Sequence, residues 1–190
     1  PATFALDGQP FLVPESCADR TIEIHACVEF PGRWRLACYA LQDIDAADTV
    51  IFQHNGRWWL ITSIRIERES SQRFLSIFHT DNVLDGNWQA HPINARRLYQ
   101  DKQCGFGRNA GPPIAWNGKL LRPMQSSSRY YGQSMTMMEI ETLTPEEFRE
   151  CPLRAAHLAS ALARRFSPHH FSQIEDIIAV DIRDRHRPLQ

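Results

Sequence analysis

The chain has 190 residues and a formal net charge of −1, with 43% of residues hydrophobic and 23% charged. Such a composition describes one folded domain with a real core and excludes a disordered or fibrous chain. The near-zero charge argues against a nucleic-acid partner, which selects basic domains with clustered Lys and Arg, and no apolar run approaches the roughly 18 residues of a membrane span.

Taken in chain order, the sequence repeats one arrangement. "PATFALDGQPFLVPES" sets Asp7-Gly8 between two apolar runs. An Asp-Gly or Asn-Gly pair there is the strongest short hairpin signal, because both residues tolerate the positive φ of a type I′ turn. "TIEIHACVEFPGRW" follows as an extended segment, a turn and an aromatic, Trp34, with Ile22 and Ile24 alternating as in a half-buried strand. "TVIFQHNGRWWLITS" repeats the hairpin about Asn55-Gly56, and "RFLSIFHTDNVLDGNW" repeats the extended segment to Trp88. "GPPIAWNGKLLRPMQ" repeats it again about Asn117-Gly118, and "MTMMEIETLTPEEF" ends at Phe148 with Met135 and Met137 alternating. An apolar residue stands four before each glycine: Phe4, Phe52 and Ile114. "HHFSQIEDIIAVDIRD" opens a fourth unit with Glu175-Asp176 at its turn. The one helical signal is "PEEFRECPLRAAHLASALARRF", where Thr144 and Glu147 have capping-box spacing; it fits a short surface helix, or an outer strand followed by an insertion.

Units of four short antiparallel strands, stacked radially, make a β-propeller, and that all-β fold is predicted here with units at roughly 1–47, 48–109, 110–168 and 169–190. A β-sandwich would not repeat the same hairpin and the same aromatic landmark three times. Trp34, Trp58, Trp59 and Trp88 sit at repeat landmarks and are expected in blade cores, whereas Trp116 is the exception.

Cys17, Cys27, Cys38, Cys104 and Cys151 form no CxxC pair in a chain too large to need staples, so they read as buried or free thiols of a reducing compartment. A cytoplasmic location is therefore expected, and no charged-then-apolar leader opens the chain. Arg96-Arg97 and Arg164-Arg165 read as solvated surface. Beginning at Pro1, inside what reads as a strand, the chain is expected to be a processed form or a piece of a longer one.

The stretches "DGQPFLVPES", "VEFPGRWRL", "DTVIFQHNGRWWLITS", "GNWQAHPINARR", "NAGPPIAWNGKLLRPMQSSSRYYGQSMTMMEIETLTPEEFRE" and "HHFSQIEDIIAVD" carry a family resemblance over nearly the whole chain. They resemble the five-bladed propeller found beside the transferase domain of glucosamine inositolphosphorylceramide transferases and beside bacterial sugar-modifying enzymes. That domain is similar to the propellers of arabinanase and invertase glycosidases. The resemblance implies five blades where three and a fraction are counted, so a closing segment or a partner chain is expected to complete the ring. It implies a carbohydrate or glycoconjugate as ligand.

Inner strands of a propeller open at the channel mouth. Asp48, directly before "TVIF", matches a position where the resembled glycosidases carry a catalytic acid, while Ala110 stands where they carry the Glu that serves as proton donor. The matching position of the first unit falls before Pro1. Glu15 in "VPES" is the best substitute acid, although a strand-end carboxylate of this kind also serves to bind neighbouring backbone. Arg122 and Gln125, on the strand returning from Gly118, offer a guanidinium and an amide to hydroxyl or anionic oxygens; the plain alternative is that Arg122 pairs with an acid and Gln125 caps a turn. His91 and Asn94 in "AHPIN" gain a channel-mouth role from the resemblance, and Arg108 and His170 complete the substrate-binding set. Adjacent residues His169 and His170 on a strand face opposite ways, so no metal is expected, and no cofactor is either.

Three functions remain open: a carbohydrate-recognising module attached to a sugar-transferring or sugar-modifying enzyme, a glycoside hydrolase of the arabinanase and invertase type, and a protein-binding scaffold. The first accommodates the missing proton donor, since general acid catalysis is worth about 10²–10⁴-fold and its loss is severe for hydrolysis. A sugar site is expected to bring Asp48, His91, Arg122 and Gln125 together in one pocket, and a spread-out arrangement is expected of a scaffold.

Overall fold

Each Asx-Gly pair makes the turn its chemistry favours. In the computed structural model, β1 (Ala2–Leu6) and β2 (Gln9–Val13) meet at Asp7-Gly8, β5 (Ala46–His54) and β6 (Arg57–Ile64) at Asn55-Gly56, and β10 (Ile114–Trp116) and β11 (Lys119–Ser126) at Asn117-Gly118. The Asx residues have φ of 50°, 51° and 49° and the glycines 77°, 75° and 74°, so the three turns share one conformation. Two consecutive positive φ values define the type I′ hairpin. The structure describes residues 1–65, 73–98, 107–126, 133–153, 166–174 and 177–184.

Every hairpin is extended outward into an antiparallel sheet. β3 (Thr21–Glu29) and β4 (Arg33–Gln42) complete the first, and β7 (Phe74–Thr80) and β8 (Gln89–Ala90) the second. β12 (Ser134–Leu143) and β13 (Phe148–Pro152) complete the third, where the short β9 (Arg108–Asn109) also pairs with β11. The inner strand of that third sheet is thus split in two around Gly111 and a Pro-Pro step. β14 (Phe166–Ile174) and β15 (Ile177–Asp184) form a two-stranded sheet. This is a β-propeller of four-stranded antiparallel blades.

The blades pack face to face, and the second blade shows how. Trp58 and Leu60 on one face of β6 join Phe11, Ile22 and Ile24 of the first blade, while Trp59 and Ile61 on the other face join Ile140, Leu143 and Phe148 of the third. Period-two alternation therefore loads both faces of β6 with large apolar groups, which is why adjacent tryptophans are both buried. Trp88 also lies in a core, whereas Trp34 is half-buried, its Nε1–H donating to the Pro31 carbonyl at 2.8 Å. Along β12 the buried side chains are Met138, Ile140 and Leu143; Met135 and Met137 are only half-covered.

Thr144 and Glu147 do not start a helix. The Thr144 hydroxyl accepts from the Glu146 and Glu147 amides at 3.3 and 3.0 Å inside the turn between β12 and β13, so capping-box chemistry serves a tight strand connection. Phe148–Pro152 is an outer strand. The remainder of the Ala- and Leu-rich stretch, together with Arg164-Arg165, Cys104 and the Glu175-Asp176 turn, lies outside the described residues. Cys17, Cys27, Cys38 and Cys151 are free, and Arg96 and Arg97 are exposed. Among the described residues no helix is long and apolar enough to cross a membrane.

His91 and Asn94 are construction members of the second blade. Because β8 has only two residues, the edge of β7 needs other partners. Asn94 supplies them with both ends of its amide, its Oδ1 accepting from the Ile77 amide and its Nδ2 donating to the Ile77 carbonyl, each at 2.8 Å. His91 is buried; its Nδ1 accepts from the Ile93 amide at 3.0 Å and its Nε2–H donates to Thr144 O of the third blade at 2.8 Å. This places the proton on Nε2 and leaves the ring neutral.

Burial pushes the His91 and His79 imidazoles below their ordinary value of 6.5, with Arg57 adding to the effect at His79 and Glu146 opposing it at both. The unfolded chain therefore binds protons at a higher pH than the native one. Their contribution to stability is full above about 6.5 and is lost as pH falls through the lower native values. Urea midpoints are expected to drop between pH 7 and pH 5, with a shallower drop in His91→Gln; equal slopes in the two proteins would refute the assignment to His91.

Candidate functional site

The inner strands open onto a shared cavity of about 630 Å³. Asp48 sits at its wall, at a bulge where the β5–β6 register shifts between Ala47 and Val50, with its backbone left-handed at φ 56°. That conformation costs a non-glycine residue about 1–2 kcal/mol, and three neighbours hold it. The Asp48 amide donates to Glu15 Oε2 of the first blade at 2.9 Å. Asn109 Nδ2 of the third blade donates to the Asp48 carbonyl at 2.8 Å. The Asp48 carboxylate accepts a fork from Arg108, from Nε at 2.5 Å and Nη2 at 3.0 Å. Bidentate guanidinium–carboxylate pairing fixes direction as well as charge.

Gln125 reaches the cavity because it lies opposite Arg108 in the β9–β11 ladder, and His170 of β14 because it lies opposite Asp181 of β15, which also lines the cavity. Arg73 adds a second guanidinium, tied to Asp45 at 2.6 Å. All four sheets contribute to this wall. It holds carboxylates (Glu15, Asp48, Asp181), guanidinium groups (Arg73, Arg108), amides (Asn109, Gln125) and an imidazole (His170), with Cys17 beside them.

Of the residues singled out in the sequence, Glu15, Asp48, Arg108, Gln125 and His170 meet here. Arg122, His91 and Asn94 do not, so of the four residues expected to converge only Asp48 and Gln125 share the cavity. Arg122 and Gln125 lie three apart on β11, and an odd offset on a strand points side chains to opposite faces. Arg122 has no exposed side-chain surface, and its partner Glu150 has 1%. Nε and Nη2 of Arg122 donate to the two Glu150 oxygens at 2.9 and 2.6 Å, and Nη1 donates to Asn109 Oδ1 at 3.0 Å. This corrects the channel-mouth placement in favour of pairing with an acid. His91 and Asn94 are consumed by the β7 edge and by the joint to the third blade, as described above. Glu15 binds backbone, the alternative its strand-end position allowed.

Ala110, at the position where the resemblance implies a proton donor, is fully buried between the wall residues Asn109 and Gly111 and carries no carboxyl group. Trp116 is half exposed, at the end of β10 and β11 remote from Gln125. Two wall residues could have been read from the sequence: Asn109, beside Arg108 at the head of the inner strand, and Asp181, which falls opposite His170 once the fourth unit is folded about its expected turn. Arg73 gives no sequence signal of its own. Among the described residues no group of three or more His, Cys, Asp or Glu side chains is arranged to hold a metal ion.

The comparisons with known proteins agree with this architecture. The family model "Glucosamine inositolphosphorylceramide transferase 1, N-terminal" matches residues 1–167. The transferase of that name from Oryza sativa subsp. japonica is 31% identical over 157 residues, covering 80% of this chain and 20% of the relative. The chain thus spans about one-fifth of that protein's length. Among solved structures, Bacteroides ovatus xyloglucan PUL GH43B superposes with a TM-score of 0.56 at 14% identity, over 95% of this chain and 34% of that one. The exo-β-1,3-galactanase of Phanerochaete chrysosporium, with β-1,3-galactotriose, gives a TM-score of 0.56 at 15% identity, over 74% and 32%. At such identities the likeness is one of fold. The matched family model, over most of the chain, places this protein in the glucosamine inositolphosphorylceramide transferase 1 N-terminal family.

Proposed function

We propose that the chain is a carbohydrate-recognising propeller module of a sugar-transferring enzyme. The observation that carries this reading is the cavity wall, where carboxylate, guanidinium, amide and imidazole groups from four sheets face one space while the proton-donor position is Ala110. Sugar hydroxyls both donate and accept, so a wall of fixed groups of both kinds matches them. Hydrolysis needs a second carboxyl group working as acid, and Glu15 already accepts from the Asp48 backbone. The ligand is a carbohydrate or glycoconjugate. A closing segment or a partner chain covers the apolar face of β15, where Ile178, Val180 and Ile182 stand exposed.

The test is a glycan array followed by calorimetry on any sugar retained, with β-1,3-galactotriose included as a probe. Native protein is expected to bind without releasing product, and Asp48→Asn to keep binding within several-fold, since the amide retains one acceptor for Arg108. Product release by the native protein, abolished in Asp48→Asn, would show a hydrolase instead. An array with no binding glycan would favour the scaffold.

A further inference from the structure

The Arg122–Glu150 pair is the most deeply buried pair of charges among the described salt bridges, and neither member lines the cavity. A buried ion pair contributes little net stability relative to apolar residues of the same size, because desolvation offsets the attraction. What distinguishes this pair is its third bond. With Nε and Nη2 spent on Glu150, Nη1 of Arg122 donates to Asn109 Oδ1 at 3.0 Å. An amide whose oxygen is held by a donor must turn its nitrogen the other way. Asn109 Nδ2 accordingly donates to two carbonyls, Asp48 O at 2.8 Å and Ile61 O at 2.9 Å. Asn109 is 3% exposed, so neither end of the amide exchanges these partners for water freely.

We propose that Asn109, oriented by the buried Arg122–Glu150 pair, is the positioning residue that holds Asp48 in its left-handed, cavity-facing conformation. The chain of contacts runs from the outer strand β13, through β11 and β9, to the bulge of β5, so the third blade sets the geometry of a carboxylate carried by the second. Asp48 at φ 56° needs such restraint, because an extended residue there would restore the regular β5–β6 register and turn the carboxylate away from Arg108. Arg108 and Asn109 are neighbours on β9, one grasping the Asp48 carboxylate and the other its carbonyl. The consequence for binding rests on the proposed sugar reading; the geometric claim does not.

The discriminating variant is Asn109→Asp. It keeps an oxygen for Arg122 and removes both N–H donors, so the bonds to the Asp48 and Ile61 carbonyls are lost while an acceptor for Arg122 remains. The readout is the Arg108 Nε–H resonance in the 190-residue protein, which reports the fork to Asp48 and needs no ligand. Asn109→Asp and Asn109→Ala are both expected to raise its exchange rate by about tenfold or more, while Ile77→Val, a core change elsewhere in the second blade, leaves it native. The double variant Arg122→Met/Glu150→Leu is expected to fold and to show the same loosening. A native Arg108 signal in Asn109→Asp would overturn the proposal, as would an equal change in Ile77→Val. Loss of the Arg108 signal beside an array with no binding glycan would uphold the positioning and sink the sugar reading; the opposite pattern would do the reverse.

Discussion

Gly111→Ala is expected to separate β14 and β15 from the third blade, at a cost of about 3–5 kcal/mol, with loss of the cavity wall on that side. Gly111 has φ 129°, and a Cβ built there would stand 1.8 Å from the Phe171 carbonyl oxygen and 3.0 Å from its carbon. Both atoms belong to backbone, which cannot rotate aside as a flexible side chain would. The joint is also where Phe171 N–H donates to Ala110 O at 2.6 Å, so relief by translation breaks that bond and exposes Phe171, now 8% exposed. Strain in a conformation nearly reserved for glycine contributes about 1–3 kcal/mol, and the lost hydrogen bond about 1 kcal/mol more. Gly118→Ala is the control: φ is again positive, at 74°, but nothing lies within 4 Å of the new methyl group. It is expected to cost about 1 kcal/mol, the backbone effect alone. Urea unfolding of the two variants, with limited proteolysis of the C-terminal strands, checks the contrast; equal costs would mean that the close approach at Gly111 carries no weight.

The blades are legible in the sequence because hairpin chemistry is local. Asp7-Gly8, Asn55-Gly56 and Asn117-Gly118 need only their own φ preferences and flanking apolar runs, and the structure gives all three one turn. The aromatic landmarks work for the same reason, marking where an outer strand returns to the core, as at Trp88 and Phe148. Contacts between blades are a different matter, since residues far apart in sequence decide them. "AHPIN" looks like a mouth loop, yet it is consumed by a deficit elsewhere, the two-residue β8 that leaves Ile77 in need of Asn94. Thr144 and Glu147 have helix-start spacing, but the strand that follows decides how the hydroxyl is used. Asp48 and Arg108 were within reach because they sit at the heads of inner strands, and radial packing brings to the same space Glu15, just past the end of β2, Gln125, near the end of β11, and His170 of β14. Arg122 was not, because its partner Glu150 lies 28 residues away on a strand whose register no local signal fixes.

That partnership reverses the effect expected of Arg122→Ala. A side chain at the channel mouth would be removed with little change in folding; the observed one is fully buried, and its loss takes two hydrogen bonds from the Glu150 carboxylate and one from Asn109. Removing one member of a buried ion pair costs about 3–5 kcal/mol, because the remaining charge keeps its desolvation penalty without its counterion. Against a typical total of about 5–15 kcal/mol, that is a large fraction of the stability of a domain. Arg122→Lys restores charge but not the fork, since an ammonium cannot donate in parallel to both carboxylate oxygens and also reach Asn109 in a fixed plane; it should fall between Ala and the native residue. The Met/Leu double replacement removes both charges together and should be the mildest of the three, since no unpaired ion is left behind. Urea midpoints ordered Ala, Lys, double variant, native, from least stable upward, are the expected result. A native-like midpoint for Arg122→Ala would mean that Glu150 is not held by Arg122 in solution, and that the guanidinium is available to the cavity after all.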